Sequence, residues 1–543
     1  MSASPSCLRR CEWLAFAALL AAEFLLFDQV GAKHYTWIYP RWNDQIQYLS
    51  EAYTGFEYSR AHGLAAGLWR TLVNPTAQGT LHDFWAVLVF QVAGPSRSAA
   101  LAVNMLAFLA WQGALFFAVR RVFASRALAW TSAGLLLALA SPWSGIQGST
   151  TDFRLDWLAA SAMGVTLSAA LLTAGFRHRG WSVVFGVAVG VTLLTRFLTG
   201  TYFVLIFAAL LVWTLVGSPR GRRTGNLFIA AAAALVLAGP LMWLSRAEIV
   251  NYYWIGHFIG PESAIRNQNM GIGRSIVWLG ERLANDHLGL PWLRVVALAT
   301  FTLLVMACWP RKNRLTAPPG NPAGGRLAAI FLLAPALVLV LHQQKSWVVV
   351  GILLPGAVLL VLAAWNALGA RLPPWTRTAL AGLALGLGGG FFAQRMLVNP
   401  HTPELLVDAR KVATLADTIY ARARVAALPQ PRVAVDHITD CLDGQVLRVV
   451  CYERQHVWVP FDMTLPISIA EAPEAEIMER LARSDFVFLA DAGYVGIYPY
   501  DRQMRALHPR LRSWCDEHLR LVDQFQLFGR RMMLYQRREI PLL

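Results

Sequence analysis

Eleven apolar runs dominate the first 395 residues of this 543-residue chain, each near the roughly 20 residues a helix needs to cross a bilayer core. They fall at 13–30, 98–119, 127–143, 157–175, 181–194, 199–217, 226–245, 292–309, 327–342, 346–365 and 378–394. The fifth and ninth are short, and Arg196 breaks the stretch 181–217 in two. Lipid offers no hydrogen bonds to a bare backbone, so such runs must be helices. Only 15% of the chain is charged, against about 25% in soluble proteins, which excludes a soluble globular domain and a disordered chain.

The formal charge of +16 would point to nucleic acid in a soluble chain, but its distribution argues otherwise. Residues 396–543 carry 18 basic and 19 acidic residues, so the whole excess belongs to the apolar part. There, alternate gaps between runs are short and basic. Arg9, Arg10, Arg120, Arg121, Arg126, Arg177, Arg179, Arg220, Arg222, Arg223, Arg311, Lys312, Arg314, Arg326, Arg371 and Arg377 face one acid, Glu12. Cytoplasmic loops collect Lys and Arg, so this side is read as cytoplasmic and no nucleic-acid partner is expected. The N-terminus is then inside, the first run is an uncleaved span, and an odd number of spans puts the tail outside. Two outer loops are long, 31–97 and 246–291. The first includes an apolar surface helix over 84–93.

Residues 396–543 alternate helix and strand signals and are expected to form a small α/β domain. Helices are predicted at 403–427 and 500–518, strands at 432–436 and 485–490, and a strand pair over 519–537 around Gly529. Cys441 and Cys451 lie close enough in sequence for a disulfide, and Asp436, His437 and Asp440 could bind a metal or be ordinary loop polar groups. Glu23 sits inside the first run, where an unpaired charge costs about 2.5–3.5 kcal/mol; its partner is left open.

Four stretches of the outer side could carry chemistry. After the first run, Asp44, Tyr48 and Glu51 share one helical face at i, i+4, i+7. This suits a carboxylate held at the membrane surface, and equally an interfacial helix with a solvated face. Asp152, Arg154 and Asp156 crowd a short loop, as a substrate-binding set or an ion-pair cluster anchoring a helix end. His342 and Lys345 occupy a turn in a chain with only four lysines; Lys345 could bind phosphate or snorkel beside Trp347. Tyr253 and His257 lie in an aromatic loop followed by Arg266, suited to stacking on sugars or to the interface. Arg196 and Tyr202 could meet an anionic headgroup. No Walker A, GxGxxG in a βαβ unit, HExxH or GxSxG pattern is present.

The order of elements then carries a resemblance. Span 1 leads to NDQIQYLSEAY, then GPSRSAALAVNMLAFLAWQGALFFAVRRVF, ALAWTSAGLLLALASPW, a short acidic loop and GVAVGVTLLTRFLTGTYFV. Over residues 10–365 this resembles the GT-C membrane glycosyltransferases of the family 39 type, which include protein O-mannosyltransferases and the bacterial aminoarabinose transferase of lipid A. The resemblance implies a helical polytopic fold of about eleven spans (1–395) with a periplasmic α/β domain (396–543) in a bacterial inner membrane. It implies inverting transfer of a sugar from a polyprenyl-phosphate carrier to a glycolipid, polysaccharide or protein acceptor. The first-loop carboxylate of the family matches Asp44, followed here by Gln45 where many members have Glu. A second carboxylate matches Asp152, and the late basic turn matches Lys345. A divalent metal between Asp44 and Asp152 stays open, since the sequence offers no ligand set. The competing readings are an oligosaccharide ligase with a polyprenyl-diphosphate donor, a transporter of lipid-linked sugar, and a scaffold displaying the tail.

Overall fold

The structure, a computed structural model, describes residues 5–36, 43–144, 148–216, 220–268, 270–308, 322–369, 373–428, 430–435, 442–463, 471–492 and 499–540. Each of the eleven apolar runs falls on a helix. α1 (Pro5–Leu26) continues through a π turn to Thr36. The outer loop follows as α2 (Asn43–His62), α3 (Leu64–Val73) and α4 (Leu81–Ala93). Then come α5 (Arg97–Val122), α6 (Arg126–Leu137), α7 (Leu155–Leu172), α8 (Arg179–Thr195), α9 (Thr199–Val216) and α10 (Arg220–Leu244). The bundle ends with α11 (Ile272–Arg282), α12 (Gly289–Cys308), α13 (Pro322–Leu341), α14 (Leu354–Gly369) and α15 (Pro374–Leu397). Among the described residues, eight helices are long and apolar enough to cross a membrane. α6 and α8 fall short of that length, and the far end of α12 has side chains outside the described residues.

The break expected at Arg196 is real: α8 stops at Thr195 and α9 starts at Thr199. Gln78 O accepts a hydrogen bond from Phe197 N at 2.8 Å, and Leu194 O accepts one from Thr80 N at 2.8 Å, so the break is stitched to the loop before α4. Glu23 is buried in α1 and accepts from Gln112 of α5 at 3.1 Å, which answers the question its burial raised.

The tail holds α16 (Pro403–Val425), β1 (Val433–Val435), α17 (Gly444–Gln455), β2 (Phe461–Met463), α18 (Glu474–Arg483), β3 (Phe486–Ala490), α19 (Pro499–His518), β4 (Leu519–Leu527) and β5 (Arg530–Arg537). The sheet order is β2-β1-β3-β5-β4, parallel across the first three and antiparallel at β5 and β4. All five residues of β3 are buried, as its unbroken apolar run requires. Cys451 is a free buried thiol, while Cys441 and the Asp436, His437, Asp440 cluster lie outside the described residues.

One apolar core runs from the bundle (Phe16, Phe108, Trp157) through α2 (Ile46, Leu49, Tyr53) into the tail (Val412, Val446, Tyr452). Two reciprocal hydrogen bonds close this seam. Tyr53 donates to Glu453 at 2.6 Å, and Tyr452 donates to Glu57 at 2.5 Å. The two tyrosine rings lie 4.9 Å apart, and Trp458 stacks on Tyr452 at 4.4 Å.

Candidate active site

Helix α2 presents Asp44 in its first turn, where a carboxylate is stabilised by the helix dipole. Its side chain is 61% exposed, and Oδ2 lies 3.0 Å from an Arg154 amino group. Arg154 is the N-cap residue of α7 and is buried, with its Nε 3.4 Å from Asp152 Oδ2. The guanidinium thus occupies the place between Asp44 and Asp152 where a metal was left open. Among the described residues no three His, Cys, Asp or Glu side chains converge as metal ligands.

Asp152 is held from several sides. Gln45 Nε2 and Gly148 N donate to its two oxygens, each at 2.6 Å, and Asn104 Nδ2 donates to its carbonyl at 2.7 Å. Gly148 has φ +73°, a conformation glycine adopts without strain, and it aims its N–H back at the carboxylate four residues on. Gln45 accepts from Arg97 at 3.3 Å, and Arg97 also donates to the carbonyls of Tyr35 and Thr36 at 3.0 Å. Gln45 is therefore an amide that donates to an acid and accepts from a base, which an ionised Glu could not do. Burial pushes the Asp152 carboxyl up, opposed chiefly by the Arg154 charge. Burial works to lower the Arg154 guanidinium, but the surrounding groups, Asp152 and then Asp44 foremost, together hold it above its usual range.

Asp156, in the first turn of α7, is ion-paired with Arg196 at the α8–α9 break. The Arg196 Nε and the Tyr202 hydroxyl are buried without a hydrogen-bond partner among the described residues. Tyr253 and Tyr202 lie within electrostatic reach of Arg196, and Tyr252 within reach of Tyr48 and Arg154. Burial raises the Tyr48 phenol well above its usual range, with Asp44 adding to the effect. From Tyr252 the contacts continue to His257 (5.1 Å between ring centroids) and on to His342 (5.6 Å). The separate outer stretches therefore form one connected cluster. Lys345 differs from expectation in its contacts: its ammonium donates to the carbonyls of Leu339 (3.0 Å), Val340 (2.9 Å) and His342 (2.6 Å), capping α13. Partial burial lowers its pKa. The Arg266 side chain lies outside the described residues.

Asp44 also lines a cavity of about 670 Å³. Its walls include Glu51 and Asp83, Arg70 and Asn74, and from the tail Gln445 and Arg448. Burial, and then the charge of Asp83, raise the Glu51 carboxyl to about 7, against the Gln47 hydrogen bond. His82 is buried with its ring 4.0 Å from Phe153 and 5.3 Å from Tyr48. Sequence reasoning noted Gln45 without giving it a role, and missed His82, Asp83, Arg97, Arg70 and Arg448. Only His82-Asp83, a polar pair opening an apolar helix, left a local signal.

The fold is that of a polytopic membrane protein, the GT-C fold. The solved structures it is similar to include ArnT from Cupriavidus metallidurans. The apo form matches with a TM-score of 0.60 at 16% identity, over 97% of this chain and 98% of that one. ArnT bound to undecaprenyl phosphate matches with a TM-score of 0.58 at 16% identity, over 96% and 97% of the two chains. No protein-family model and no curated protein matches the sequence.

Proposed function

We propose that the protein is an inverting glycosyltransferase that moves a sugar from a polyprenyl-phosphate carrier to an acceptor at the outer face of the cytoplasmic membrane. The observation that carries this reading is the position of Asp44, between a polar cavity and the buried Arg154–Asp152 pair. ArnT, whose fold this chain shares, has been solved with undecaprenyl phosphate bound. The acceptor is a glycolipid, polysaccharide or protein hydroxyl.

In this reading Arg154 fixes one oxygen of Asp44, and the other, without a protein partner among the described residues, takes the acceptor proton. The acceptor oxygen bonds to the anomeric carbon while the bond from that carbon to the phosphate oxygen breaks on the opposite face. The phosphate departs with the bonding electrons, and Arg196, with its unpartnered Nε, stabilises the growing charge. Tyr48, Tyr253, His257 and His342 line the approach, and Arg266 belongs to the same outer loop. Asp152 and Asp156 hold the two arginines; Glu51 and the cavity wall bind sugar hydroxyls. Phosphate is a good leaving group, so no second carboxylic acid is required.

The orientation rests on charge. Arg177, Arg223 and Arg326 gather at one end of the bundle, and there Glu12 lies between Arg120 (3.4 Å) and Arg126 (3.3 Å). That end faces the cytoplasm and the tail faces the periplasm.

The test is transfer from a radiolabelled undecaprenyl-phosphate sugar to envelope extract by purified wild type, Asp44→Asn, Arg196→Ala and Lys345→Ala. Asp44→Asn is expected to lose at least 100-fold in rate, the scale of a general base. Arg196→Ala should lose more transfer than Lys345→Ala, whose main defect is the α13 cap. A wild-type rate in Asp44→Asn removes Asp44 from the base role.

A further inference from the structure

The basic end of the bundle carries a charge that the protein does not neutralise. No acidic residue occurs between Asp156 and Glu248, yet Arg177, Arg179, Arg220, Arg222 and Arg223 lie in that interval. Arg223 turns inward and donates to the Gly175 carbonyl at 2.7 Å. Arg179 and Arg222 do not. They border an open cleft of about 480 Å³ together with His178, Gly180, Trp181 and Val184. Neither guanidinium has a partner among the described residues.

The spacing of this cleft is set by helix packing. α8 and α10 cross where Gly186 meets Ala230, and a Cβ on Gly186 would lie 2.2 Å from the Ala230 carbonyl oxygen. Arg179 and Arg222 sit about two turns before that crossing, so their backbones are held at a fixed separation. Trp181 forms one wall, backed by Phe117 at 6.0 Å, with the Arg121 guanidinium 5.7 Å from its ring. Glu12, the acid of this basic end, is already shared by Arg120 and Arg126. Further along the same two helices, Val183, Val184, Val187 and Phe228 are exposed, as side chains against acyl chains would be.

We propose that this cleft binds the phosphate headgroup of an anionic phospholipid, its acyl chains lying along the exposed valines of α8. Arg179 and Arg222 hold the phosphate, and Trp181 sits at the level of the glycerol backbone, where tryptophan is favoured at membrane interfaces. The ligand is a lipid rather than free phosphate because the cleft opens onto the apolar flank of the two spans. This site lies at the opposite end of the bundle from Asp44 and does not depend on the transfer reading.

The experiment is native mass spectrometry of the full chain in detergent, titrated with dioleoyl phosphatidylglycerol or dioleoyl phosphatidylethanolamine. Wild type is expected to retain the anionic lipid in preference to the zwitterionic one. Arg179→Gln/Arg222→Gln should weaken that retention by about 25-fold, roughly fivefold for each charge. If the double variant aggregates, the two single variants carry the same test, together with loss of wild-type retention as salt rises. Equal retention by wild type and variants overturns the proposal. So does displacement of the lipid by millimolar inorganic phosphate, which would make the cleft a free-phosphate site.

Discussion

Arg154→Met removes the guanidinium that joins Asp44 to Asp152, and the two contacts it breaks are unequal. The Asp44 side chain is 61% exposed, so that pair contributes at most about 1 kcal/mol. The Asp152 side chain is 7% exposed, and stripping one partner from a buried pair costs about 3–5 kcal/mol. Asp152 keeps its hydrogen bonds from Gln45 and Gly148, so the lower end, about 3 kcal/mol, is expected. The loss should depend on pH. Burial already raises the Asp152 carboxyl, and without Arg154 it rises further, so the folded variant takes up a proton at a pH where the unfolded chain does not. Stability of the variant therefore recovers as pH falls. Asp152→Asn removes the orphaned charge, and the double variant should be about 2–3 kcal/mol more stable than the sum of the single losses predicts. Unfolding in detergent, followed by tryptophan fluorescence at pH 7.5 and 5.5, measures all four proteins. Simple additivity within about 0.5 kcal/mol at both pH values would refute the coupling.

Two further outcomes follow from the cavity and the seam. Glu51 titrates near 7 in the folded chain against 4.5 in the unfolded one, so folding loses stability as pH rises through that window and levels off above it. Glu51→Gln should raise Tm by roughly 1–3 °C more at pH 8 than at pH 5, and a pH-independent shift counts against the assignment. Tyr452→Phe removes the donor to Glu57, a charge-assisted bond of about 1.5–3 kcal/mol. Limited proteolysis between Leu397 and Pro403 should quicken, and an unchanged cleavage rate would mean the seam is held by packing alone.

The spans were legible because hydropathy is a local property, and so was the break at Arg196, a charge set in an apolar run. The tail helices α16 and α19 and the strands β1, β3, β4 and β5 were legible for the same reason: each carries its own period or apolar run. α17, α18 and β2 were not: α17 and α18 were given no helix signal, and β2, with Asp462 at its centre, has no apolar run and takes its place from pairing with β1. In the site, Asp44, Asp152 and Arg196 could be named as chemistry-bearing types on one side of the membrane. Their partners could not. Gln45 meets Asp152 across 107 positions, and Arg97 meets Gln45 across 52. Lys345 was legible as an isolated cation, but whether it meets a ligand or its own helix end depends on carbonyls that α13 leaves unsatisfied.

The tyrosine–glutamate bonds between α2 and α17 join residues 400 and 395 positions apart. A ribosome adding roughly 5–20 residues each second needs about 20–80 s to cover that distance. Through that interval α2 has emerged and the far wall of the cavity, Gln445 and Arg448, has not. The carboxylates of the first loop wait beside an open side until the last quarter of the chain is made. The cavity is thus among the last features of the fold to be completed: a chain stopped before α17 lacks the Gln445 and Arg448 wall.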